Sequence, residues 1–411
     1  MNANEIVPHI HRLWAKIDTN VLFEGLWPIP HGMIMNSYVV CGDKTAVIDG
    51  VCGWDGVPET LFNQLAECGI ALSSIDYAII NHLEPDHTGW LENLIKLNPG
   101  VVIVGSKEAE YLTRSYYRNT REFLTVDDNE DLDLGNGYML KFTMVPYVHW
   151  PETMVTYEVK TKTLFTGDVF GSFGDFNGIF LDSQLTEETA MFFKSEALRY
   201  YSNIIGPFTP YVKKAMAKLL GLSMSQIAPA HGIVWQDNPG KIIEIYDEFI
   251  SCYSGKTREL ITVVWSTMYG STEAALESVL KGIKKQGVEY KVFQVPQDHM
   301  SFIIQSCWES TGIVLAMPTY ESKMFPPMAF LLDELGKKKI RNKIGFHFGS
   351  YGWSGGAQKE LDEILTKRNM NWDMIEPVEF KGSPDRNDLN NVENSGFKLA
   401  GLVKEKVNNM I

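Results

Sequence analysis

The chain has 411 residues, 45% hydrophobic and 21% charged, with a formal net charge of −14. That is length enough for two globular domains, and the acidic balance argues against the clustered Lys and Arg of a nucleic-acid binder. No apolar run approaches the roughly 20 residues of a membrane helix, and the start, MNANEIVPHI, lacks a basic leader, so a cytoplasmic protein is expected.

In chain order, NSYVVCGDKTAVIDG reads as a hairpin about Gly42 and Asp43, and IDYAIINH as a buried strand. YMLKFTMVP and TMVTYEVKTKTLFTGD add hairpin strands, while PETLFNQLAECG and YVKKAMAKLLG carry helical periodicity. Paired strands with interspersed helices predict an α+β sandwich. Beyond the polar SCYSGKTREL the texture becomes a regular beat: ITVVW, a helix in TEAALESVLKGIKKQG, YKVFQV, GIVLAMP, a helix in PMAFLLDELG, KIGFHFG, a helix in GAQKELDEILTKRN, MIEPVEF and a last helix. Five strands alternating with helices predict an α/β doubly wound parallel sheet, with a boundary near Ser254 and domains 1–254 and 255–411. The cysteines, at 41, 52, 68, 252 and 307, are dispersed with no C-x-x-C pair, so neither a disulfide framework nor a rubredoxin-like iron site is expected.

NHLEPDHTGW begins where a predicted strand ends and packs His82, Glu84, Asp86 and His87 into six residues. In a loop, H-x-E-x-D-H can turn side chains toward one point, supplying more ligands than one ion needs. Three further candidates end predicted strands: His149 in YVHWPE, Asp168 after the Thr166-Gly167 turn, and His231 in APAHG. His31 in IPHGMIMNSY, and Tyr200 or Tyr201, read equally as proton donors beside such a site or as structural residues.

At these residues the first half resembles the metallo-β-lactamase fold, an αββα sandwich whose signature is H-x-H-x-D-H followed by distant His, Asp and His. Glu84 stands where the middle histidine belongs, and carboxylate-rich mixed sites suit iron better than an all-histidine zinc site does. With these spacings the pattern is similar to the flavodiiron proteins. The resemblance implies two irons: His82, Glu84 and His149 on one, Asp86, His87 and His231 on the other, and Asp168 bridging. Some family members leave the histidine at the His87 position off the metal. The alternative is a zinc-dependent hydrolase with a flavodoxin-like regulatory domain, Glu84 being a tolerated change.

In the second half, VVWSTMYGSTEAA follows a strand, is rich in hydroxyls and opens a helix, a fitting cradle for phosphate. It has neither G-K-[ST] nor G-x-G-x-x-G, which excludes the Walker and dinucleotide fingerprints. MPTYESK and FGSYGWSGGA follow the third and fourth strands, and in the order 2-1-3-4-5 all three loops share one crevice. Gly349, Gly352, Gly355 and Gly356 permit close backbone approach, while Tyr351 and Trp353 offer flat faces. This half resembles flavodoxin. The resemblance implies FMN, with Ser266, Thr267, Gly270, Ser271 and Thr272 on its phosphate, Met268 and Tyr269 in the same loop, and Pro318, Thr319, Tyr320, Ser350, Tyr351, Gly352 and Trp353 about its ring. Together the halves imply reduction of dioxygen to water or of nitric oxide to nitrous oxide. They also imply a separate donor (a rubredoxin-like protein, a flavin reductase or reduced deazaflavin) and a head-to-tail homodimer or dimer of dimers.

Overall fold

The computed structural model describes residues 2–51, 57–118 and 122–410. The chain divides into two compact units, Met1–Tyr246 and Asp247–Ile411. The division therefore falls inside the helix Pro239–Tyr253, rather than in the polar stretch at Ser254. The last turns of that helix belong with the second unit, where the Trp308 indole donates to the Phe249 carbonyl at 3.0 Å.

The first unit holds two sheets. One has seven strands, in spatial order Asn4–Val7, Ile10–Ile17, Met33–Cys41, Thr45–Ile48, Ile75–Ile79, Val102–Gly105 and Phe123–Thr125. The hairpin expected about Gly42 forms, pairing Tyr38 with Ile48 and Cys41 with Thr45. The other sheet runs Asp131–Gly135, Tyr138–Met144, Met154–Glu158, Thr163–Phe165 and Gln226–Ala228. Val40, Ile48, Ile79 and Val104 of the first sheet share one buried cluster with Leu134, Leu140, Phe142 and Phe165 of the second. Each such side chain contributes about 1.5–3 kcal/mol on burial, which clamps the sheets face to face. The helix Glu59–Glu67 lies on the outer face, where the Gln64 amide bonds both backbone groups of Trp14. The product is the αββα sandwich.

In the second unit the parallel strands lie in the order Glu289–Gln294, Arg258–Trp265, Ser310–Ala316, Ile344–Tyr351, which is 2-1-3-4 along the chain. The fifth is not continuous. Asp373–Met374 and Val378–Lys381 pair separately with Ile344–Tyr351, because Pro377 between them has no N–H to give a ladder. Sequence reading also passed over the helix Met300–Glu309 between the second and third strands. No described helix is long and apolar enough to cross a membrane. Cys52 lies outside the described residues; Cys41, Cys68 and Cys307 are free thiols.

Candidate di-metal centre and flavin cradle

Five segments deliver the seven expected metal ligands to one place. His82 and Glu84 follow the strand Ile75–Ile79, and the short turn of helix Pro85–Thr88 carries Asp86 and His87. The His87 carbonyl accepts from the Trp90 indole at 3.2 Å, and that ring fills the space beside Gly50, where any Cβ would lie 1.4 Å from its Nε1. Only glycine fits there. His149, Asp168 and His231 sit in loops after strands of the second sheet, with Gly167 in the left-handed region (φ 58°) turning the chain just before Asp168.

The seven ligand atoms fall into two groups, His82, Glu84, His149 and Asp168 in one and Asp86, His87 and His231 in the other. Asp168 joins them. Its Oδ1 lies 2.7 Å from His87 Nε2 and 2.9 Å from His231 Nε2, while its Oδ2 lies 3.0 Å from His149 Nε2 and 3.7 Å from His82 Nε2. Glu84 Oε2 is 3.0 Å from His149 Nε2, and Asp86 Oδ2 is 3.3 Å from His87 Nε2. Despite these separations, both Asp86 oxygens, both His87 nitrogens and His149 Nε2 are buried with no hydrogen bond of acceptable geometry. The atoms aim at common points rather than at one another. Ligands held ~2.1 Å from an ion stand ~3 Å apart, so the donor set fits two ions.

Burial by itself pushes each of these groups toward its neutral form. Asp86 and Asp168 override it at His87, and the adjacent Asp168 and Glu84 carboxylates override it at His149, raising both imidazoles to about 9. Burial is likewise overridden at Glu84, held at about 2 by His149 and His82, and at Asp168, which lies well below the carboxylate range beside His87 and His149. Burial wins at Asp86, pushed up to about 7, and at His231, which is lowered. Protons thus occupy a site of four imidazoles and three carboxylates, and metal uptake displaces them.

Glu152 was not foreseen. Its Oε1 sits 2.9 Å from His82 Nδ1 and accepts from Leu83 N–H at 2.8 Å. Of the paired tyrosines, Tyr201 bonds Thr209 at 2.8 Å, whereas Tyr200 packs 5.4 Å from the His231 ring with a buried hydroxyl that has no partner. His31 is exposed, its ring edge-on to Phe192 at 5.2 Å.

The three flavin loops do meet. Thr272 Oγ1 is 3.2 Å from Ser350 Oγ, joining the first loop to the fourth-strand loop, and Thr319 Oγ1 accepts from Ala357 N–H at 3.4 Å, joining the third. Ser322 and Ser354, unforeseen, add a second link at 3.2 Å. Thr267 Oγ1 accepts from Gly270 N–H at 2.9 Å, and Gly270 is left-handed (φ 88°). Ser266 Oγ is fully buried and unpartnered, a donor awaiting an acceptor such as phosphate. Tyr269 and Trp353 stand 95% and 85% exposed, wide apolar rings that a bound flavin would cover, with Met268 and Tyr320 half exposed beside them. The glycines divide in role: at Gly349 a Cβ would lie 1.7 Å from the Met317 carbonyl, whereas Gly352 faces open space.

Fold and site define a two-cofactor protein: a metallo-β-lactamase-like di-metal domain followed by a flavodoxin-like domain. A family profile described as ODP family beta lactamase matches residues 33–232, and the Flavodoxin profile matches residues 263–394. The anaerobic nitric oxide reductase flavorubredoxin of Escherichia coli O1:K1 / APEC is 32% identical over 374 residues, covering 90% of this chain and 76% of that protein. Among solved structures, the rubredoxin oxygen:oxidoreductase of Desulfovibrio gigas superposes with a TM-score of 0.91 at 27% identity, over 99% of this chain and 100% of that one. The flavodiiron protein of Giardia intestinalis gives 0.91 at 25% identity, over 100% and 98%. The chain belongs to the flavodiiron protein family, whose cofactors are FMN and a di-iron centre. The zinc-hydrolase alternative is not favoured.

Proposed function

We propose that the protein is an oxidoreductase that reduces dioxygen to water or nitric oxide to nitrous oxide at a non-haem di-iron centre refilled by FMN. The observation that carries the reading is the division of the Asp168 carboxylate, one oxygen toward His87 and His231 and the other toward His149 and His82. We assign His82, Glu84 and His149 to one iron, Asp86, His87 and His231 to the other, and FMN to the three loops. When bound, two ferrous ions and one reduced FMN supply four electrons, the number dioxygen needs to reach water, whereas a pair of nitric oxide molecules needs two.

The chain's own groups supply the rest. Asp168 would hold both ions, and burial of the ligand side chains keeps bulk water from them. Tyr200, whose burial beside Asp168 holds its phenol protonated, keeps a proton at Oη near His231. Ser266 and Thr272 hydroxyls would hold the flavin phosphate, and the exposed Trp353 and Tyr269 rings would shield the isoalloxazine from water. In this reading electrons come from a separate donor, a rubredoxin-like protein, a flavin reductase or reduced deazaflavin.

The test is gas uptake by protein reconstituted with iron and FMN under a reductant, measured with each gas in turn. Uptake of neither overturns the reading. The working unit in this reading is a head-to-tail homodimer. Mixed dimers of Thr267→Glu and Asp86→Asn/Asp168→Asn chains should regain activity that both parents lack; inactive mixed dimers would overturn that arrangement.

A further inference from the structure

The two halves of the metal centre are not supported alike. On the side of His82, the imidazole Nδ1 meets Glu152 Oε1 at 2.9 Å, and the same oxygen accepts the Leu83 N–H at 2.8 Å. Because that oxygen already accepts from an amide, the proton between it and the imidazole resides on Nδ1. With Nδ1 holding that proton, Nε2, the nitrogen 3.3 Å from Glu84 and 3.7 Å from Asp168, is the one His82 offers to an ion. Glu152 is itself anchored. Its side chain is fully buried, and its backbone carbonyl accepts from Ser106 Oγ at 2.8 Å, tying it to the start of the helix Lys107–Tyr117.

The other group has no counterpart. His231 Nδ1 faces the Met35 sulfur at 3.1 Å, a weak acceptor, and His87 Nδ1 is buried with no hydrogen-bond partner. A carboxylate behind an imidazole fixes its tautomer, pins its ring and makes the metal-facing nitrogen a stronger donor. A thioether or an empty position does none of these.

We propose that Glu152 is a positioning residue acting through His82, and that it makes the ion site of His82, Glu84 and His149 the tighter and more electron-rich of the two. The inference rests on the metal-centre reading and goes beyond it by ranking the two sites. The site of Asp86, His87 and His231 fills second and empties first. Substitution at Glu152 acts on one ion and leaves its neighbour alone.

Cobalt(II) titration of metal-free protein, followed by d–d absorption, tests this without turnover. Wild type should take up two ions in two steps. Glu152→Gln keeps an acceptor for Leu83 N–H and nearly the same shape, so the metal-free protein should retain its melting midpoint while one binding step, the tighter, weakens about 10- to 100-fold. Unchanged binding in that variant, or equal weakening of both steps, overturns the proposal. Failure of wild type to bind cobalt at all would instead overturn the metal-centre reading beneath it. Should Glu152→Gln not fold, 15N-histidine spectra of zinc-loaded wild type decide the matter. A solvent-protected Nδ1 proton with a cross-peak to the Leu83 amide is expected, and its absence overturns the assignment.

Discussion

His347 offers the most quantitative test of the flavin-binding unit. It lies in the strand Ile344–Tyr351, which ends in the Ser350–Trp353 loop, and its ring is fully buried. Nδ1 is 2.8 Å from Gln358 Oε1, and Nε2 has no partner. Burial lowers the folded value to about 4, against 6.5 for the free side chain, outweighing Gln358 and the Met317 backbone, which favour the protonated ring. Between those values the unfolded chain binds the proton and the folded chain does not, so stability is lost as pH falls. Linkage puts the loss at about 1 kcal/mol at pH 5.5 and about 2–3 kcal/mol at pH 4.5. Native-state hydrogen exchange on residues 344–351 reads this locally. Compared with His347→Gln, the wild-type opening free energy should fall by those amounts between pH 7 and 4.5. Parallel pH profiles for the two proteins would refute the argument.

Asp168→Asn puts an NH2 group where one carboxylate oxygen stood, so one ion loses a ligand; bound iron should drop below two per chain by mass spectrometry. Thr267→Glu sets an anion in the phosphate cradle, and like-charge contact costs several kcal/mol, so FMN affinity should fall at least about 100-fold by flavin fluorescence. Lys343, buried with its ammonium on the Trp308 and Ser310 carbonyls, is lowered by burial to about 8. The unfolded lysine titrates near 10.4, so the second unit should gain stability from about pH 8 to 10 in urea titrations, a rise that Lys343→Met removes. Tyr200→Phe should leave metal content intact yet slow steady-state gas uptake about tenfold or more.

The candidate metal cluster was legible because four of its residues lie within six positions and the rest follow strands, where a sandwich brings loops together. The flavin loops were legible because a 2-1-3-4-5 sheet places three chosen strand ends side by side. Glu152 was not, since a lone glutamate after His149 in HWPET reads as a solvated turn until the fold carries it to His82. The helix Met300–Glu309 was hidden in FIIQSCW, apolar on so many sides that its period does not stand out; its residues Ile303, Ile304, Cys307 and Trp308 are all buried. The division within Pro239–Tyr253 could not be read either, because one uninterrupted helix serves both units.

The donor set explains why this scaffold suits electron transfer rather than hydrolysis. A hydrolytic zinc must keep enough net positive charge to acidify a bound water to a pKa of ~7, which neutral imidazoles allow. Here Glu84, Asp86 and Asp168 would bring three negative charges to two ions, their side chains only 15%, 9% and 2% open to solvent. In so dry a site those charges act at short range and low dielectric, blunting the acidity of a bound water and favouring the higher oxidation state of a redox metal. Replacing a histidine by Glu84 trades Lewis acidity for reducing power. Reducing power then has to be replenished, and a flavin cradle in the same chain supplies the means. Glu84→His should accordingly shift the apo-protein's selectivity toward zinc in a zinc–iron competition measured by mass spectrometry. An unchanged selectivity would show that the other six ligands, not Glu84, set the metal.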